Sequence, residues 1–150
     1  MANQQGQLIT VDVTTPSAPR LLAAVTASGY AFNVAVDGTW AIVNTADINN
    51  VAHLDVFNVS APASPVLVSS VAVANTSAAT VKGIALIGIH AYVATTTQGL
   101  KIYDLSTPTN PLLFGAGYTL GNAIDVAVAG PWLGVADSVS TISIVDLFAP

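Results

Sequence analysis

Asp47, Asn49, Asn50 and Asp55 place four oxygen-bearing side chains within nine residues, and His53 stands among them. Carboxylate and carboxamide oxygens gathered in a loop are the ligands that Ca²⁺ takes. The segment lacks the alternating oxygens, the glycine and the distal glutamate of an EF-hand loop, and the chain contains no Glu. Asp47, Asn49 and Asp55 are therefore the metal candidates and Ca²⁺ the ion their chemistry would suit, but a solvated loop without cofactor is the expectation. His53 and His90 are the two histidines, whereas a transition-metal site needs three or four convergent ligands. Serines are plentiful, yet no Gly-x-Ser-x-Gly elbow, phosphate loop or dinucleotide fingerprint occurs. No catalytic residue is expected, and the chain reads as a non-enzyme.

A second polar set has regular spacing. Asp12, Asn58, Asp104 and Asp146 lie 46, 46 and 42 residues apart, each within one phrase. Val11-Asp12-Val13-Thr14-Thr15-Pro16 returns as Phe57-Asn58-Val59-Ser60-Ala61-Pro62, as Tyr103-Asp104-Leu105-Ser106-Thr107-Pro108 and as Val145-Asp146-Leu147-Phe148-Ala149-Pro150. A short Asp or Asn side chain accepts from the backbone N–H two residues on and so holds a turn. A group that recurs in every repeat is read as such a turn anchor. The same placement makes the Pro-x-x-Pro segments turns rather than ligands for a polyproline-binding domain.

The glycines at 38, 88 and 130 give an independent count, with intervals of 50 and 42. Polar anchor to glycine is 26 residues in the first and third repeats and 30 in the second. Glycine to the next anchor is 20, then 16, then 16. The unit is thus about 42 residues, with one four-residue insertion near Asp47 to His53 and another near Asn75 to Lys82, both expected in loops. The array divides into units 7–51, 52–98 and 99–141 and a partial unit 142–150, all within one domain.

Each unit reads as four short strands. Leu8 to Val13 alternates with period two, Leu21 to Thr26 follows the proline turn, and Asn33 to Val36 and Trp40 to Asn44 flank Gly38. No segment has a helical period. An all-β chain with four strands every 40–45 residues or so indicates β-propeller blades rather than a sandwich or solenoid. His90 falls where other repeats carry Trp40 and Trp132, which marks it as a packing position.

Composition narrows the partners. The chain is 150 residues long and 53% hydrophobic, but only 7% charged, against roughly 25% in ordinary soluble domains. A net charge of −5 with Arg20, Lys82 and Lys101 as the only cationic side chains argues against nucleic acid. Cysteine is absent, so disulfides and thiolate metal sites are excluded. Residues 66–94 are the most apolar stretch, but Ser69, Ser70, Asn75, Lys82 and His90 interrupt it, so no membrane-spanning helix is expected. Met1 to Gln5 has neither a basic nor an apolar leader region, so no signal peptide is visible.

The run Gly99-Leu100-Lys101-Ile102-Tyr103-Asp104-Leu105-Ser106-Thr107-Pro108, followed by Asp125-Val126-Ala127-Val128-Ala129-Gly130, resembles the LVIVD repeat of bacterial and archaeal surface or secreted β-propellers. The resemblance extends from about Gly6 to Pro150. It implies a propeller fold and an extracellular or cell-surface location, and brings no catalytic motif with it.

Counting strands gives about three four-stranded blades and one surplus strand, fewer than the 4–8 or so blades that close a propeller. The outermost faces would then be bare and apolar and would seek cover. Three outcomes follow: a fragment of a longer propeller, a ring completed by further copies, or a fibre. The stop at Pro150, midway through a proline turn, favours a cut. The expected function is a scaffold, adhesion or self-assembly module acting through protein contacts. The alternative is a propeller enzyme or ligand-binder with a central-channel site near Asn33, Lys82 and Asp125.

Overall fold

The computed structural model describes residues 2–3, 6–77, 80–117, 119, 121–138 and 142–147. Fourteen strands run through them in four antiparallel sheets, with no α-helix among the described residues. Sheet I holds β1 (Ala2–Asn3), β2 (Gln7–Asp12) and β3 (Arg20–Thr26). Sheet II runs in order through β4 (Tyr30–Asp37), β5 (Trp40–Ala46), β6 (Val51–Asn58) and β7 (Val66–Ser77). Sheet III repeats that order with β8 (Val81–Ile87), β9 (His90–Thr95), β10 (Gly99–Asp104) and β11 (Leu112–Gly117). Sheet IV holds β12 (Ala123–Ala129), β13 (Trp132–Asp137) and β14 (Ile142–Asp146). Two complete blades therefore stand between a sheet of third and fourth strands with a two-residue second strand and a sheet of first, second and third strands.

Local chemistry fixes each hairpin. Gly38, Gly88 and Gly130 adopt φ of 55°, 56° and 58° at the first position of two-residue loops closed by Asp37–Trp40, Ile87–His90 and Ala129–Trp132. A positive φ there suits glycine, and the turn matches the twist of the flanking strands. The proline turns are equally regular. Ala18, Ser64 and Asn110 donate their N–H to the carbonyls of Thr15, Ala61 and Thr107 at 2.8–2.9 Å, with Pro16, Pro62 and Pro108 at the second turn position.

The first strand of each blade is longer than its apolar pattern indicates, because each carries a bulge. Register shifts between Ala31 and Asn33, between Val81 and Gly83, and between Ala123 and Asp125. Phe32, Lys82 and Ile124 are thereby left unpaired and exposed on the innermost strands. β8 lies beside both β4 and β12, so these strands stand together around an axis.

The described residues of the two insertions lengthen strands as well as a turn. β7 is 12 residues long, and Ser77 at its end pairs with Val51 at the start of β6. Segments more than twenty residues apart in sequence thus build one shared extension of sheet II, capped by an exposed turn that places Asn50 at φ 62°.

Alternation puts one face of each strand onto the preceding sheet and the other onto the following one. Three apolar layers result. Leu8 and Ala27 meet Ala31, Ala41, Val43 and Phe57 between sheets I and II. Ile42, Leu54, Val56 and Val73 meet Leu86, Ala91, Val93 and Tyr103 between sheets II and III. Tyr92, Ala94 and Leu100 meet Val126, Leu133 and Val135 between sheets III and IV. Polar stitches cross the layers: the Thr10 hydroxyl donates to the Pro62 carbonyl and the Ser69 hydroxyl to the Pro108 carbonyl, both at 2.6 Å.

Candidate functional site

The recurring anchors act on their own turns. Asp12 Oδ1 accepts from the Thr14 N–H at 2.9 Å and the Thr14 hydroxyl at 2.7 Å. Asn58 Oδ1 accepts from the Ser60 N–H at 2.9 Å, and Asp104 Oδ1 from the Ser106 N–H at 2.7 Å. Donation from the Thr14 and Ser106 backbones favours the charged form and holds both carboxyls below the usual aspartate range. The Asp146 side chain lies outside the described residues.

The oxygen-rich segment divides into two separate uses. Asp47 Oδ1 accepts from the N–H groups of Asn49 and Val51 at 2.9 and 2.8 Å, which folds the turn at the tip of sheet II. The Val51 bond foremost, with that of Asn49 and the nearby His53, lowers the Asp47 pKa. Asp55 is fully buried between sheets I and II, where it accepts from the Ser28 N–H at 2.6 Å and the Ser28 hydroxyl at 2.7 Å. Asn49 is exposed, and its backbone is what Asp47 engages. Among the described residues no three His, Cys, Asp or Glu side chains stand close enough to hold a metal ion.

His53 lies between Asp47, whose carboxylate is 3.6 Å from Nε2, and Ser70, whose hydroxyl is 3.5 Å from Nδ1. Both separations exceed those of a proton-transferring pair, roughly 2.6–3.2 Å. His90 packs beside the Phe114 ring at a centroid distance of 5.6 Å and the Tyr92 ring at 6.5 Å. Burial pushes the Tyr92 phenol up and the Lys101 ammonium down from their ordinary values.

On the inner strands the structure shifts the sequence assignment by one residue in two of the three blades. The bulge residue equivalent to Lys82 is Phe32 in sheet II and Ile124 in sheet IV, whereas Asn33 and Asp125 align with Gly83. Bulges leave little mark in a sequence, since all three positions sit in runs of strand-forming residues. Gly83 is required by proximity: a Cβ there would meet the Asp125 carboxylate and lie 2.9 Å from the Asp125 Cα.

The most distinctive surface is the outward face of sheet IV. Trp132, Ile142 and Ile144 are 50%, 73% and 68% exposed and, with Ala127, Ala129 and Gly134, line an apolar depression of about 570 Å³. Leu133 and Val135, on the opposite face, are buried against sheet III. The LVIVD repeat family model matches residues 1–27, 28–73, 78–119 and 120–150, so each match coincides with one sheet.

The chain belongs to the LVIVD-repeat family.

Its propeller-like fold is similar to that of a solved structure, the computationally designed Ika4 protein. The likeness has a TM-score of 0.66 at 11% identity and covers 97% of this chain and 82% of that one. At that identity it concerns the fold alone. No curated protein matches the sequence. Among the described residues no helix is long and apolar enough to cross a membrane.

Proposed function

We propose that this LVIVD-repeat chain is a non-enzymatic scaffold whose work is protein contact, as an adhesion or self-assembly module at a cell surface or outside the cell. The observation that carries the reading is the outward face of sheet IV. Three large apolar side chains on one sheet face are at least half exposed, and among the described residues no charged one lines the depression they form; contiguous apolar surface of this kind marks an interaction site. The polar residues singled out above support it from the other side, because Asp12, Asn58 and Asp104 hold turns and Asp55 holds the connection between sheets I and II. The location rests on the resemblance to surface and secreted propellers and on a surface nearly without charge.

Light scattering of the purified chain over a wide concentration range tests the reading. Mass above that of one chain, rising with concentration, is the expected result. A chain that stays monomeric at every concentration would refute self-association through this face.

A further inference from the structure

The three internal interfaces follow one rule: the onward face of each sheet lies on the rearward face of the next. Register shows what that rule leaves over at the two ends. Counting from the turn anchors, Ile142 and Ile144 occupy the positions of Leu54 and Val56 in sheet II and of Leu100 and Ile102 in sheet III. Leu54 and Val56 are 0% exposed because sheet III covers them, and Leu100 is buried beneath sheet IV. Ile142 and Ile144 keep the same chemistry with no sheet of the described residues over them. At the other end, Val11 of sheet I holds the position of Phe57 and Tyr103, which are 0% and 2% exposed beneath the preceding sheet. Leu21, its cross-strand partner, matches Leu67 and is 62% exposed.

Sheet IV thus presents an onward face and sheet I a rearward face, the two halves of the interface built three times internally. We propose that sheet IV of one copy seats on sheet I of a second copy, making a fourth interface of the same kind. The pairing is heterologous, so each copy keeps one face of each type available until the assembly closes or runs on. An association of sheet IV with itself would set onward face against onward face, an arrangement absent from all three internal layers. The inference rests on the interaction-module reading and specifies its partner as a second copy of this chain.

Two variants test it. Ile144→Lys disables the onward face and Leu21→Lys the rearward face. Both side chains are already exposed, so each variant keeps the parental circular dichroism spectrum and melting temperature, measured first to establish an intact fold. Each variant alone is expected to lose association by about a hundredfold or more, since an unpaired ammonium would be buried at the contact. Mixed in equal amounts, they combine through the one intact face on each and stop at twice the monomer mass. A Leu21→Lys variant that still associates by itself would overturn the pairing while leaving the interaction-module reading standing. A mixture that stays monomeric although the parent associates would overturn it equally. A parent that never associates would remove both.

Discussion

Asp104 and Asn58 perform one task with different chemistry, so the charge at this position is dispensable while the acceptor oxygen is not. Asp104→Asn is expected to melt with the parent at neutral pH, whereas Asp104→Ala, which leaves the Ser106 N–H without its side-chain acceptor, melts lower. Differential scanning calorimetry separates the two. Asp12, Asp47 and Asp104 have lowered folded pKa values. Their contribution is complete above the ordinary aspartate value of about 3.9 and is lost as pH falls through the lower folded values. Stability should therefore decline in acid below about pH 4, and less steeply in Asp104→Asn. Asn44 is a different case. It is fully buried, and among the described residues neither its amide nitrogen nor its oxygen has a hydrogen-bond partner. Ala94 and Ala136 hold its register in sheets III and IV. Removing a buried unsatisfied amide gains on the order of 1 kcal/mol, so Asn44→Ala should raise the urea midpoint; a lower midpoint would show that the amide is satisfied in solution. The turn anchors were legible from sequence because their bonds reach only two residues along the chain. The partnership of Ser28 with Asp55 was not, because it ties the connection between sheets I and II to β6 through a contact with no local pattern.

At the scale of strands and sheets, the hairpins could be read directly. Gly38, Gly88 and Gly130 announce turns that need a positive φ, and two-residue alternation announces the strands beside them. The bulges at Phe32, Lys82 and Ile124 could not be read, since an unpaired residue in a strand has the same composition as a paired one. They decide how closely the inner strands approach. Gly83 faces the Asp125 backbone so closely that any side chain would force β8 and β12 apart. Gly83→Ala should destabilise the chain by about 1–3 kcal/mol, the usual range for overpacking, and a urea melt with an unchanged midpoint would contradict that approach. The insertions carry a further lesson: each read as a loop alone, and only strand pairing joins Val51 to Ser77.

For the molecule as a whole, four sheets and three layers leave two faces over, a remainder that the repeat count alone makes visible. Which residues occupy the faces follows from register, but which face meets which requires the stacking order. Trp132 offers a direct probe, because it is half exposed on the outward face of sheet IV. In a Trp40→Phe background, leaving Trp132 as the single tryptophan, acrylamide quenching should weaken as concentration rises and the face is covered. Quenching that stays constant while the mass grows would place the contact elsewhere.

The lengthened tip of sheet II breaks the equivalence of the four modules. Deleting either insertion alone would strand its partner without a neighbour, so the pair can be exchanged only together. In any stack of copies the tip marks one module in four, a built-in ruler whose spacing along an imaged particle would reveal how many chains it contains and which way they point.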